Sequence, residues 1–231
     1  MTLQTSGDGA VKTNDTAGRS TMGMLKAVKP TDLDLEGLEE RRKQDAPKDC
    51  ESGPVGSSTA LSSGAVLQEV GCKTSGLETV TAQFLDGKKL PELKLMSADG
   101  LAAVVAEAAT LLPDKKAGRI SLGATQTPAT ASVAGVKTGS DGCSLQYNRR
   151  ASLSGDDRAL VTALACSSVA DARPIALDGL DAAKLKSAAD AAVKQVGGWD
   201  KVKVLELVQN DKGAAVQIPT GAGKPVVVQI G

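Results

Sequence analysis

The chain has no histidine, and its 231 residues include only one phenylalanine, one tyrosine and one tryptophan: Phe84, Tyr147 and Trp199. Without imidazole, nucleophile–histidine catalysis, histidine metal ligation and the usual proton switch near neutral pH are excluded. Rings that could stack on bases are all but missing, and 27 basic residues balance 27 acidic ones. A nucleic-acid binder needs both the stacking platform and the positive footprint, so no nucleic-acid partner is expected. No run approaches the roughly 18–20 apolar residues of a membrane span. The N-terminal stretch MTLQTSGDGAVKTNDTAGRS also lacks the apolar core of a signal peptide. Taken alone, these absences predict a chain that neither spans a membrane nor follows the secretory route.

What is present is a hydrophobic fraction of 41% made almost wholly of Ala, Val, Leu and Ile. Large rings each bury about 150–250 Å², so a core built without them favours small modules that need cross-links. The four cysteines supply candidates. Cys50 and Cys72 bracket 21 residues, and Cys143 and Cys166 bracket 22. STALSSGAVLQEVGC (58–72) and ASLSGDDRALVTALAC (151–166) both run from a Ser/Gly turn into an apolar stretch ending in cysteine.

The match continues downstream. SADGLAAVVAEAATLLP (97–113) places Leu101, Val104, Val105, Ala108 and Leu112 on one helical face, with Pro113 as the stop. DAAKLKSAADAAVKQVGG (181–198) does the same with Leu185, Ala189, Ala192, Val193 and Val196, and Gly197-Gly198 ends it. Strand-like runs follow at 118–125 and 129–137 after the first helix, and at 201–209, 214–219 and 224–230 after the second. Leu101 to Leu185 and Ile120 to Val204 are both 84 residues apart. The expectation is an α+β protein of two tandem copies of a small module, each a β-hairpin, an Ala-rich helix and two or three antiparallel strands. The copies occupy residues 49–139 and 140–231. Residues 1–48 read as a flexible arm, polar at first, with a possible short helix at 31–44 capped by Thr31 or Asp32.

Opposed residues in an antiparallel hairpin have numbers that add to a constant. For Cys143 and Cys166 the constant is 309, which centres the turn on Ser154-Gly155 within Leu153-Ser154-Gly155-Asp156, a good turn sequence. For Cys50 and Cys72 it is 122, centred on Leu61, a less well placed turn. Even number and equal brackets predict two disulfides, Cys50–Cys72 and Cys143–Cys166. The alternatives are reduced buried thiols, a redox dithiol, or a zinc site lacking the usual C-x₂-C knuckles.

Other motifs fall short of chemistry. PTGAGKPVVV (219–228) resembles a phosphate loop, but Ile218 occupies the first glycine position and Pro225 the hydroxyl position, so a hairpin loop is expected. RRASL (149–153) has the form of a basophilic kinase target with Ser152 as acceptor. Asp156-Asp157 and Asp32, Asp34, Glu36 lack calcium-loop spacing. Tyr147 and Trp199 are the large side chains available as recognition anchors, although packing beneath a helix end is the plainer role for Trp199. No cofactor and no metal are expected.

Disulfides imply an oxidising location. The expected function is therefore that of a non-enzymatic structural or interaction protein, a virion component or an extracytoplasmic surface or binding protein. Its partner would be another protein or itself, with the N-terminal arm as a candidate contact. The alternative is a cytosolic enzyme or redox protein working through cysteines or carboxylates, with the thiols reduced.

Overall fold

The computed structural model describes residues 2–5, 11–14, 29–50, 53–74, 77–124, 129–136, 144–153, 158–165, 173–221 and 223–231. The chain divides into two compact units. One comprises residues 1–91 with 152–159, the other residues 92–151 with 160–231. Helix and antiparallel sheet are mixed in both, so the chain is α+β.

The first unit is an antiparallel sheet with one helix packed on it. Strands β1 (Thr2–Thr5), β2 (Val11–Asn14), β3 (Pro54–Ala60), β4 (Val66–Thr74), β5 (Leu77–Leu85) and β6 (Lys88–Lys89) lie in the order β2-β1-β3-β4-β5-β6. Helix α1 (Leu35–Asp45) starts at Asp34, whose carboxylate accepts from the Gly37 N–H at 3.3 Å. Asp32, expected as a cap of this helix, instead closes the preceding 3₁₀ turn by accepting from Lys29 N–H at 3.1 Å. Glu36 in the first turn and Arg42 and Lys43 in the last suit the helix dipole. Leu38 is fully buried and meets Val70, Ala82 and Phe84 of the sheet. Residues 29–48 are thus not part of a detached arm, because α1 supplies the apolar cover of its own sheet.

Register in this unit corrects the first hairpin. Residue numbers paired between β3 and β4 add to 126, so Cys72 faces Pro54 rather than Cys50. The turn runs from Leu61 to Ala65, where Leu61 N–H donates to Ala65 O at 2.8 Å. Between β4 and β5 the ladder slips at Val70/Gly71, leaving Thr81 as the extra residue of a bulge. Gly71 is obligatory there: a Cβ would lie 1.9 Å from Thr79 O.

The second unit is a larger antiparallel sheet bearing two helices. Its elements are α2 (Ala98–Leu111), β7 (Lys116–Gly123), β8 (Thr130–Gly135), β9 (Ser144–Arg150), β10 (Leu160–Ala165), β11 (Ile175–Ala176), α3 (Ala182–Val196), β12 (Val204–Asn210), β13 (Gly213–Ile218) and β14 (Val226–Gln229). The strand order is β10-β9-β8-β7-β12-β13-β14, with β11 paired to β7. Ser97 caps α2 by accepting from Gly100 N–H at 3.0 Å. Asp181 caps α3 through Ala183 N–H and Lys184 N–H, and Gly197 ends it at φ 96°. Leu101, Val104, Val105 and Ala108 of α2, and Leu185, Ala189, Ala192 and Val193 of α3, are buried. The sheet contributes Ala117, Ile120, Leu122, Ala131, Val133, Leu205, Leu207, Val216 and Ile218 to the core.

This topology corrects the expected modules. β8 and β9 are neighbours paired from Thr130–Arg150 to Ala134–Gln146, so a boundary between residues 139 and 140 would cut one sheet in two. The β3–β4 hairpin lies in a sheet apart from the strands that follow α2, whereas β9–β10 shares a sheet with the strands that follow α3, so the two hairpins do not hold matching places.

The helix-and-strand part behaves differently. Paired numbers add to 253 across β7–β8 from Arg119–Ala134 onwards and to 423 across β12–β13, so one shift of 85 residues carries the first register onto the second. That shift takes Ile120, Leu122, Ala131 and Val133 onto Leu205, Leu207, Val216 and Ile218, all of them buried. It also takes Ser121 onto Glu206, its own partner across the β7–β12 pair. The two hairpins are therefore related by a local two-fold axis through that pair. The spacing of 84 read from Ile120 and Val204 is one short for the strands, since 85 alone keeps inward residues inward.

Candidate functional site

The described residues with the most chemistry in them form three clusters, each internal to one unit. In the first unit, Cys50 and Cys72 are joined in a disulfide with Cα atoms 5.5 Å apart. The bond is not a cross-strand rung. Cys50 precedes β3 and is tied to the far end of β4, so it fastens the segment after α1 to the sheet that α1 covers. Closing a loop with sequence separation 22 stabilises by about 3 kcal/mol through the unfolded chain.

Elsewhere in the unit, Arg41 of α1 lies over the Phe84 ring at 5.5 Å and pairs with Asp34 at 2.8 Å. It also donates to the Gln68 carboxamide oxygen. The fully buried Gln68 donates in turn to Leu33 O at 3.1 Å and Asp34 O at 3.0 Å. Ser58 donates to Leu33 O at 2.7 Å. These groups add donor partners for the carbonyls at the end of the 3₁₀ turn, just before α1. In the same unit Arg158 pairs with Glu69 at 2.8 Å.

In the second unit, β9 and α2 make two polar rungs. Tyr147 and Arg149 share one face of β9, and Val104 and Glu107 stand one turn apart on α2. The Tyr147 hydroxyl donates to Val104 O at 3.0 Å. Arg149 Nε donates to both Glu107 oxygens, at 3.1 and 3.0 Å. The Arg149 side chain is 0% exposed and that of Glu107 12%. Desolvation raises the Glu107 carboxyl above its ordinary 4.5 and outweighs the opposing pull of Arg149. Desolvation, helped by the Glu107 charge, pushes the Tyr147 hydroxyl well above 10.

These positions settle several sequence expectations. Tyr147 is fully buried and hydrogen-bonded within its unit, so it is a core residue and not a recognition anchor. Trp199 is half-buried just beyond α3, and its indole N–H donates to Asp190 at 3.3 Å. Arg149, the first residue of the kinase-like RRASL, is inside the protein, whereas Ser152 is half-buried. Thr220 and Lys224 close a turn in which Thr220 Oγ1 donates to Lys224 O at 3.0 Å, which is a hairpin loop and not a phosphate cradle. Cys143, Cys166, Ser154, Gly155, Asp156 and Asp157 lie outside the described residues. The β9–β10 numbers nevertheless add to 309 at every described pair, from Leu160–Arg149 to Ala165–Ser144, the constant expected from the two cysteines.

Sequence reasoning did not single out Glu107 or Arg41, and read Arg149 only as part of the kinase-like RRASL. Their signal was weak: charges in amphipathic segments ordinarily face water. Arg149 does sit two residues from Tyr147, and that shared face was the readable clue.

Among the described residues, no group of three or more His, Cys, Asp or Glu side chains is placed to hold a metal ion. No helix among them is long and apolar enough to cross a membrane. No protein-family model, curated protein or solved structure matches the chain.

Proposed function

We propose that this is a non-enzymatic structural or interaction protein, a virion component or an extracytoplasmic surface or binding protein, whose units are fastened by disulfides and internal ion pairs. The observation that carries the reading is the Cys50–Cys72 bond, placed where it clamps a helix-bearing segment onto its sheet. A bond so placed serves the fold, and oxidising surroundings are where such bonds persist. The disposition of charge supports it. Arg41, Arg149 and Glu107 are each engaged by neighbours that tie helix to strand, an arrangement suited to a rigid scaffold.

Two finer statements belong to the same proposal. Cys143 bonds Cys166, because the β9–β10 constant of 309 continues to that pair. The helix-and-hairpin segments α2-β7-β8 and α3-β12-β13 descend from one duplicated segment, because a shift of 85 superposes the strand registers and their buried positions and one of 84 the buried faces of the helices. The partner is another protein or a second copy of the chain.

Fractionating the source material under thiol-blocking conditions, with intact mass measured before and after reduction, tests the reading. The expected result is a particle, envelope or extracellular fraction in which the protein gains mass only after reductant and alkylation. A cytosolic protein with alkylatable thiols before reduction would overturn it in favour of the redox or enzyme alternative.

A further inference from the structure

We propose that the outer edge of β14 is a self-association surface, at which a second copy of the chain lays its own β14 antiparallel to the first. The local two-fold axis defines the place. It makes β9 and β14 equivalent, as the outer neighbours of β8 and β13. β9 carries a further strand, β10, along its outer edge, whereas β14 ends the sheet among the described residues. A position that a strand fills in one half is open in the other.

That edge is where hydrogen-bonding capacity remains. Ile230 N–H donates to Ala214 O at 2.9 Å. The alternation of an antiparallel ladder then turns Val228 and Val226 towards β13, and the N–H and C=O groups of Val227 and Gln229 outwards. The Gln229 side-chain carbonyl is also buried without a donor, the one such atom among the described side chains. Val227 is 41% exposed, one of two large hydrophobic residues so exposed among the described residues. Sheet edges are normally guarded by charge, proline or a bulge within the strand. β14 reads VVVQ and its pairing with β13 is regular, so none of these guards is present.

The strand is also self-complementary, which identifies the occupant. With a two-fold axis at Val228, Val227 of each copy faces Gln229 of the other, and their outward backbone groups exchange hydrogen bonds. No charged residue lies between Val226 and Gly231, so no like charges meet across the axis. Such an isologous pair closes on itself, whereas laying β10 of one copy on β14 of the next would propagate without end.

The test is sedimentation velocity on the full oxidised chain across roughly 1–500 µM, the range in which small edge interfaces associate. The expected result is a monomer–dimer equilibrium. Val227→Pro removes an N–H that points away from β13, as an edge position tolerates, and should abolish the dimer with an unchanged circular dichroism spectrum and melting temperature. Should that variant unfold, Val227→Lys decides, since a charge on the edge blocks pairing without touching the ladder. A monomer at all concentrations, a dimer that survives Val227→Lys, or open-ended polymers would each overturn the proposal. A monomer would leave the disulfide-based reading of function standing, so the two fail separately.

Discussion

Arg149 and Glu107 show how a single pair can be costly and still indispensable. A buried ion pair gains little over well-packed apolar residues, but removing one partner strands a desolvated charge. Glu107→Leu should therefore destabilise the protein by about 3–5 kcal/mol, by taking away both oxygens that accept from Arg149 Nε. The double variant Arg149→Met with Glu107→Leu should be near neutral or stabilising by up to about 4 kcal/mol. Urea unfolding of the three proteins checks this, and equal losses in single and double variants would contradict it. The pair also has a pH signature. Because the folded carboxyl titrates above its ordinary value of 4.5, the native state holds more protons than the unfolded chain as pH rises through that window. Its contribution is complete below 4.5 and is lost as pH climbs through the raised value, a slope that the double variant should lack.

At the scale of elements, the sheets depend on local exceptions as much as on regular pairing. The Val70/Gly71 bulge brings Thr79 O within 1.9 Å of where a Cβ would stand on Gly71, and the obstacle is backbone, which cannot rotate aside. Gly71→Ala should cost about 1–3 kcal/mol and lower the denaturant midpoint with little change in m. A wild-type midpoint would mean that the bulge relaxes freely. Much at this scale was readable from sequence. The stop at Gly197 and the apolar faces of α2 and α3 follow from propensity and period. The β9–β10 register followed from two cysteine positions. The β3–β4 register did not, because Cys50 lies before the strand and its bond therefore says nothing about the rungs. β5 was legible but not recognised: Val80, Ala82 and Phe84 are buried at a spacing of two, yet a pattern of hairpin, helix and strands has no place for it.

At the scale of the whole chain, sequence gave the class but misplaced the division. The cysteine hairpins resemble one another because both join a Ser/Gly turn to an apolar strand, a demand that any exposed hairpin makes. Which sheet each joins is set by long-range pairing, β3 with β1 and β9 with β8, to which local composition is blind. The correspondence seen in register is shorter than the expected modules and spans β7–β8 and β12–β13.

The central claim, a chain fastened by disulfides that serve its fold, is tested most directly by proteolysis without reductant, after thiol blocking, followed by mass spectrometry of the linked peptides. The account predicts two linked species, one joining Cys50 to Cys72 and the other Cys143 to Cys166. Blocked free thiols at these positions, or a peptide joining Cys143 or Cys166 to Cys50 or Cys72, would contradict it.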